Sequence, residues 1–212
     1  MRRNVKTLYG SLAIASILFL TSCASTNTNG TTSAWKDPDF STSISKVLVI
    51  GIHSSQEERR LYEDTLVKIL KTKGVRSIPS LSLFPSGQAL NREIISSAIN
   101  ADDFDSVLIT RVISEDSDSR NAPSRRNFPV RAFRRNLYDF YNHSYPIVHA
   151  TNYAQNHTTL SLETNLYNTM NNSLVWSNQS EPFNPDNIND VSDDVSNTIV
   201  INLTNDHLIN IK

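Results

Sequence analysis

Apolar positions in this chain change their period from one stretch to the next, and each period predicts an element. Lys46-Val-Leu-Val-Ile-Gly-Ile52 is a nearly continuous apolar run, which predicts a strand buried on both faces. Directly after it, Ser55 and Glu58 stand three apart as a capping box, and Tyr62, Leu66, Ile69 and Leu70 recur at helical spacing until Gly74 stops the pattern. A second strand is expected at Val75 to Pro79. A helix over Gln88 to Asn100, with Leu90, Ile94, Ile95 and Ala98 on one side, then leads into the strand Ser106 to Ile113. Helical crossovers of this kind favour parallel pairing.

The second half of the chain is patterned differently. Thr158, Leu160, Leu162, Thr164 and Leu166 alternate with Thr159, Ser161, Glu163, Asn165 and Tyr167, so this strand is expected to leave its polar face to water. Asn171-Asn172 suits a tight turn with positive φ, and Leu174-Val-Trp-Ser177 returns as the second arm of a hairpin. From about Asn187, the residues Ile188, Val191, Val195, Ile199, Leu203 and Leu208 lie on one stripe of a last helix. The consistent packing solution is α/β (α+β): a single domain with a mixed sheet of about five strands and three helices mainly on one face. A long loop, 114–155, separates the third and fourth strands.

The N-terminus sets the expected address. Arg2, Arg3 and Lys6 precede an apolar run of 13 residues, Leu8 to Leu20, interrupted only by Gly10, Ser11 and Ser16. That is too short for a membrane-spanning helix of about 20 residues, and it fits a signal peptide over 1–22 that is removed. Leu20-Thr21-Ser22-Cys23 then resembles the bacterial lipobox, in which the cysteine is acylated and becomes the new N-terminus. Cys23 is the single cysteine among 212 residues, so once acylated it leaves no thiol for a disulfide, a nucleophile or a metal. Each buried methylene of such a lipid, palmitate for example, contributes about 0.8 kcal/mol, and three chains make a permanent anchor. By resemblance to lipoprotein sorting in Gram-negative bacteria, Ala24 in place of Asp favours the outer membrane, with the domain in the periplasm. Residues 23–34 are expected to be the lipidated cysteine and a flexible tether reaching at most about 35 Å, and 35–212 the globular domain.

Charge and motifs narrow the chemistry. Removal of 1–22 takes away three basic residues and no acid, leaving 17 basic against 21 acidic residues, a formal charge of −4. A nucleic-acid partner is not expected from that balance. In the long loop, Arg120, Arg125, Arg126, Arg131, Arg134 and Arg135 fall within 16 residues that contain no acid, interleaved with Phe128, Phe133, Tyr138, Phe140, Tyr141 and Tyr145. Arginine beside aromatic rings suits phosphate or carboxylate groups and flat faces, so Arg125, Arg126, Arg131, Arg134, Arg135, Phe128, Phe133 and Tyr141 form the candidate binding surface. Its partner would be an envelope protein, peptidoglycan or a glycolipid. The competing reading pairs these arginines with Glu115, Asp116 and Asp118 and folds the aromatic residues over the open sheet face as a lid.

For an enzyme, the one position of interest is His53, just past the first strand where open α/β sheets place ligands, with Ser54 and Ser55 beside it. No Gly-x-Ser-x-Gly elbow surrounds those serines, and both are expected to be spent as helix caps. Asp102, Asp103 and Asp105 match no calcium loop, and His143, His149 and His157 are spaced too irregularly to indicate zinc. The sequence contains no Walker loop and no dinucleotide fingerprint. Catalytic residues, metals and cofactors other than the lipid are therefore not expected. An envelope hydrolase near His53 and a purely structural lipoprotein stand as the alternatives.

Trp35-Lys-Asp-Pro38, Lys46 to Ile52, Arg59-Arg-Leu-Tyr-Glu-Asp-Thr-Leu66, Asp105-Ser-Val-Leu-Ile-Thr-Arg111, Glu163-Thr-Asn-Leu-Tyr167 and Leu174 to Ser177 resemble a group of small bacterial envelope lipoproteins of unknown function. Their α/β domain is similar in type to those of the curli-secretion lipoprotein, the N-terminal part of TolB and the lipoprotein activators of penicillin-binding proteins. The resemblance implies protein binding and assembly at the envelope, and no catalytic residues.

Overall fold

The computed structural model describes residues 31–84, 89–114, 132–150, 159–184 and 188–209. The signal peptide and Cys23 lie outside the described residues, as do Arg125, Arg126, Phe128 and Arg131.

Six strands form one sheet: β1 (Thr31–Lys36), β2 (Lys46–Ile52), β3 (Arg76–Pro79), β4 (Ser106–Ser114), β5 (Leu160–Asn168) and β6 (Leu174–Ser180). Their spatial order is β1-β6-β5-β4-β2-β3. β2 runs parallel to β3 and β4, whereas β4, β5, β6 and β1 are successively antiparallel. The expected parallel pairing follows from the helical crossovers, and the hairpin from the turn that Asn172 closes at φ 58°.

β1 corrects the expected start of the domain. Thr31 to Ala34 belong to an edge strand on β6, with Trp35 opposite Ser177, and are not part of a tether. Its sequence, TTSAWK, carries no alternating apolar pattern, and an edge strand can form largely on backbone hydrogen bonds.

Helices cover both faces of the sheet, which corrects the expectation that they lie mainly on one. On the first face, α1 (Gln56–Thr72) and a C-terminal helix, α5 (Ile188–Asn205), bring Tyr62, Leu66, Leu70, Val195, Ile199 and Leu203 against Val49, Leu108, Leu166 and Trp176. On the second, α3 (Arg92–Asp102) and α4 (Leu137–Val148) bring Ile95, Ile99, Phe140 and Tyr141 against Leu48, Ile50, Val107 and Ile109. A single turn, α2 (Ser80–Leu83), follows β3. None of the described helices is long and apolar enough to cross a membrane.

Local chemistry explains the ends. α1 stops as expected: Gly74 sits at φ 81°, Val75 N–H reaches the Leu70 carbonyl and Gly74 N–H that of Lys71. α3 starts four residues later than the expected Gln88, because Asn91 caps it by accepting Ile94 N–H at 2.8 Å. Leu90 therefore lies before the helix, where its N–H donates to Tyr141 Oη at 2.9 Å.

The largest departure is α4, which stands inside the stretch expected to be a loop. Leu137, Tyr138, Phe140, Tyr141, Ser144 and Val148 form its buried stripe, and Asn136 caps it through Tyr138 N–H. Pro146 lies in its last turn. A short 3₁₀ turn, Ala132–Arg134, precedes it. Both are tied to the hairpin, since Leu137 N–H donates to the Asn172 carbonyl and Leu174 N–H to that of Arg135.

Candidate functional site

Connections leave β2 and β4 in opposite directions across the sheet, β2 through α1 toward β3 and β4 through α4 toward β5. Such a switch of direction opens a crevice at the carboxyl ends of the two strands, where open α/β sheets bind ligands. Here it is lined by Gly51, His53, Tyr62, Thr110, Val112 and Leu162 and encloses about 20 Å³, enough for one or two waters.

Its floor is a closed polar network. Glu63, fully buried about two turns into α1, accepts from Gly51 N–H (2.8 Å), Arg59 Nε (2.9 Å), Ser80 Oγ (2.7 Å) and Leu81 N–H (2.9 Å). Arg59 also donates from Nη2 to Ser80 Oγ at 2.6 Å. Gly51 is needed for this approach: a Cβ there would lie 3.2 Å from Arg59 Cγ and 3.5 Å from Glu63 Oε1. Beside it, Tyr62 Oη lies 2.5 Å from Thr110 Oγ1, which is 2.9 Å from Thr164 Oγ1. Burial pushes the Tyr62 hydroxyl up to about 12.

His53 stands at the mouth. Its Nδ1 accepts the Ser55 N–H at 3.0 Å and its Nε2 lies 2.9 Å from Glu58 Oε2, so both ring nitrogens are engaged. Burial holds its pKa below the ordinary 6.5, against the opposing pull of the Glu58 carboxylate. Ser55 Oγ caps α1 by accepting Glu58 N–H at 3.4 Å, as its position foretells, while Ser54 is exposed. His53, a serine and an acid thus come together as a helix-capping cluster and not as a nucleophile with its base.

Across the sheet lies a second ionic cluster. Arg111 donates from Nε (2.9 Å) and Nη2 (2.7 Å) to Glu163 Oε2, Arg134 Nη2 donates to the same oxygen at 3.1 Å, and Arg134 Nε lies 2.5 Å from Oε1. All three side chains are buried. Burial alone would raise the Glu163 carboxyl, but the two guanidiniums outweigh it and hold it below its usual value. The polar face of β5 is therefore buried, against expectation, and Arg134 of the 3₁₀ turn closes over Glu163.

The described members of the candidate Arg and aromatic surface separate. Arg134 and Tyr141 are buried, Phe133 is half-buried and stacked on His143 at 3.9 Å, and Arg135 is exposed. Tyr141 is pushed up to about 12 by burial. His143 and His149 stack on different rings, Phe133 and Tyr145, and His157 lies outside the described residues. Asp105 clasps the start of β2, where Oδ2 accepts from Ser45 N–H, Ser45 Oγ and Lys46 N–H at 2.7 to 2.9 Å.

No family model and no curated protein matches the chain. Among solved structures it is similar to two PelC dodecamers from Paraburkholderia phytofirmans. One, a single-substitution variant, is 10% identical with a TM-score of 0.42 and covers 81% of this chain and 96% of that one. The other is 10% identical with a TM-score of 0.41 and covers 80% and 92%. The chain is also similar to lipoprotein GNA1162 from Neisseria meningitidis, at 13% identity and a TM-score of 0.37, covering 77% of this chain and 97% of that one.

Sequence reasoning missed Glu63, Arg59, Arg111 and Glu163. The i,i+4 spacing of Arg59 and Glu63 was the available signal for one pair, but the same spacing decorates exposed helix faces. Arg111 in an apolar strand was the signal for the other.

Proposed function

We propose that the protein is a lipid-anchored bacterial envelope lipoprotein whose domain binds or assembles another envelope component and performs no catalysis. The anchor rests on Leu20-Thr21-Ser22-Cys23 following a signal-peptide pattern, with the outer membrane and the periplasm as the proposed location. The observation that carries the non-catalytic reading is the engagement of His53 at both nitrogens, by Ser55 N–H and by Glu58, so that neither is open to a substrate proton. Its partner is proposed to be an envelope protein, peptidoglycan or a glycolipid.

Two measurements test this. Growth with a clickable palmitate analogue is expected to label the wild type and not Cys23→Ser; equal labelling of both would refute the anchor. Photo-crosslinking probes at Arg131 and Arg135 in living cells are expected to capture one discrete partner. Background lipid alone would overturn the binding reading in favour of a structural lipoprotein.

A further inference from the structure

The first turn of α1 is closed by a relay and not by a complete capping box. In a capping box the residue three beyond the cap returns its side chain to the cap residue's own N–H. Here Ser55 N–H goes to His53 Nδ1, and Glu58 meets His53 Nε2 instead. Since Nδ1 accepts, the ring proton sits on Nε2 and is donated to Glu58: the arrangement requires a neutral imidazole of one tautomer.

Protonation puts a hydrogen on Nδ1, pointing at the Ser55 N–H. The acceptor beside it is the Ser55 carbonyl, 3.3 Å from Nδ1, which already takes the first helical bond of α1 from Arg59 N–H at 3.1 Å. The imidazolium thus leaves Ser55 N–H without its acceptor, while the Ser55 carbonyl, able to take a second bond, favours the charged ring. Of the charged groups around the ring, Glu58 on α1 favours the imidazolium and His149, at the end of α4, opposes it. Arg59 and Arg111 also line the crevice, but Glu63 and Glu163 pair with them.

We propose that the Ser55–His53–Glu58 relay is an acid-released latch: neutral His53 holds the first turn of α1 across the mouth of the crevice between β2 and β4, and protonated His53 lets that turn go. The crevice encloses about 20 Å³, and Glu58 and Arg59 of this turn are among the residues that line it.

Hydrogen exchange of the full chain, read by mass spectrometry over residues 53–62 with the intrinsic pH dependence divided out, tests the latch. In the wild type, exchange there is expected to accelerate about five-fold from pH 7 to pH 5, the factor that a lost cap of about 1 kcal/mol implies. His53→Gln should remove the pH dependence. Glu58→Gln should move the midpoint to lower pH and His149→Asn to higher pH, because Glu58 raises and His149 lowers the His53 pKa. Flat wild-type exchange, an acceleration that survives in His53→Gln, or midpoints that do not move in those opposite directions would overturn the proposal.

Discussion

Arg111 and Glu163 stand directly opposite each other in the antiparallel β4–β5 register, and their side chains meet on the second face of the sheet through two hydrogen bonds to one carboxylate oxygen. Arg134 completes the cluster from outside the sheet. Two central strands and the turn that begins α4 are thus joined by one buried carboxylate, and a partner removed from such a cluster leaves an uncompensated charge in the interior.

Glu163→Gln is therefore expected to destabilise the domain by about 3–5 kcal/mol, since it strands two buried guanidiniums. The check is urea unfolding, with the midpoint lowered and the slope unchanged. A loss under about 1 kcal/mol, the range of exposed pairs, would mean that water reaches the cluster.

Gly51→Ala is expected to cost about 1–3 kcal/mol, because the added methyl presses on Arg59 Cγ at 3.2 Å inside a packed network. Differential scanning calorimetry would show this as a lowered Tm. An unchanged Tm would show that Arg59 yields without loosening Glu63.

Tyr62→Phe removes the hydroxyl beside Thr110 but leaves Thr110 and Thr164 bonded to each other at 2.9 Å. The expected loss is about 1 kcal/mol, a single net hydrogen bond. Combining it with Thr110→Val should cost less than the sum of the two single changes, which a double-mutant cycle measures.

Stability is expected to fall with acid in two windows. His53 titrates below its unfolded value of 6.5, so its contribution is complete above 6.5 and is lost as pH falls from there to the folded value. Glu163 is also lowered, from 4.5; its contribution is present above 4.5 and is lost as pH falls through the folded pKa. In both windows the unfolded chain binds more protons, so the sign is the same. Urea titrations at a series of pH values would separate them: His53→Gln should flatten the upper window and leave the lower one.

Elements with a strong local period were legible in the sequence. The apolar run of β2, the Leu66 and Leu70 stripe of α1 and the Val195, Ile199 and Leu203 stripe of α5 all reappear as core. The α4 stripe has the same spacing, yet its aromatic residues sit beside arginines and Pro146, and that composition reads as a binding loop. β1 was illegible for the opposite reason: its pairing is carried by backbone groups, which every sequence possesses.

By itself the sequence determined which residues alternate, where α1 begins and ends, where the hairpin turns, and the lipobox pattern at Cys23. Each is a local matter of periodicity, capping or a short motif. Tertiary structure alone decided that the polar face of β5 is buried, with Arg134 closing over Glu163, and that Ser55 N–H goes to His53 and not to Glu58. The physical reason is the same in both cases: a polar side chain states what it can bond, and only packing decides whether water, backbone or a distant charge arrives first.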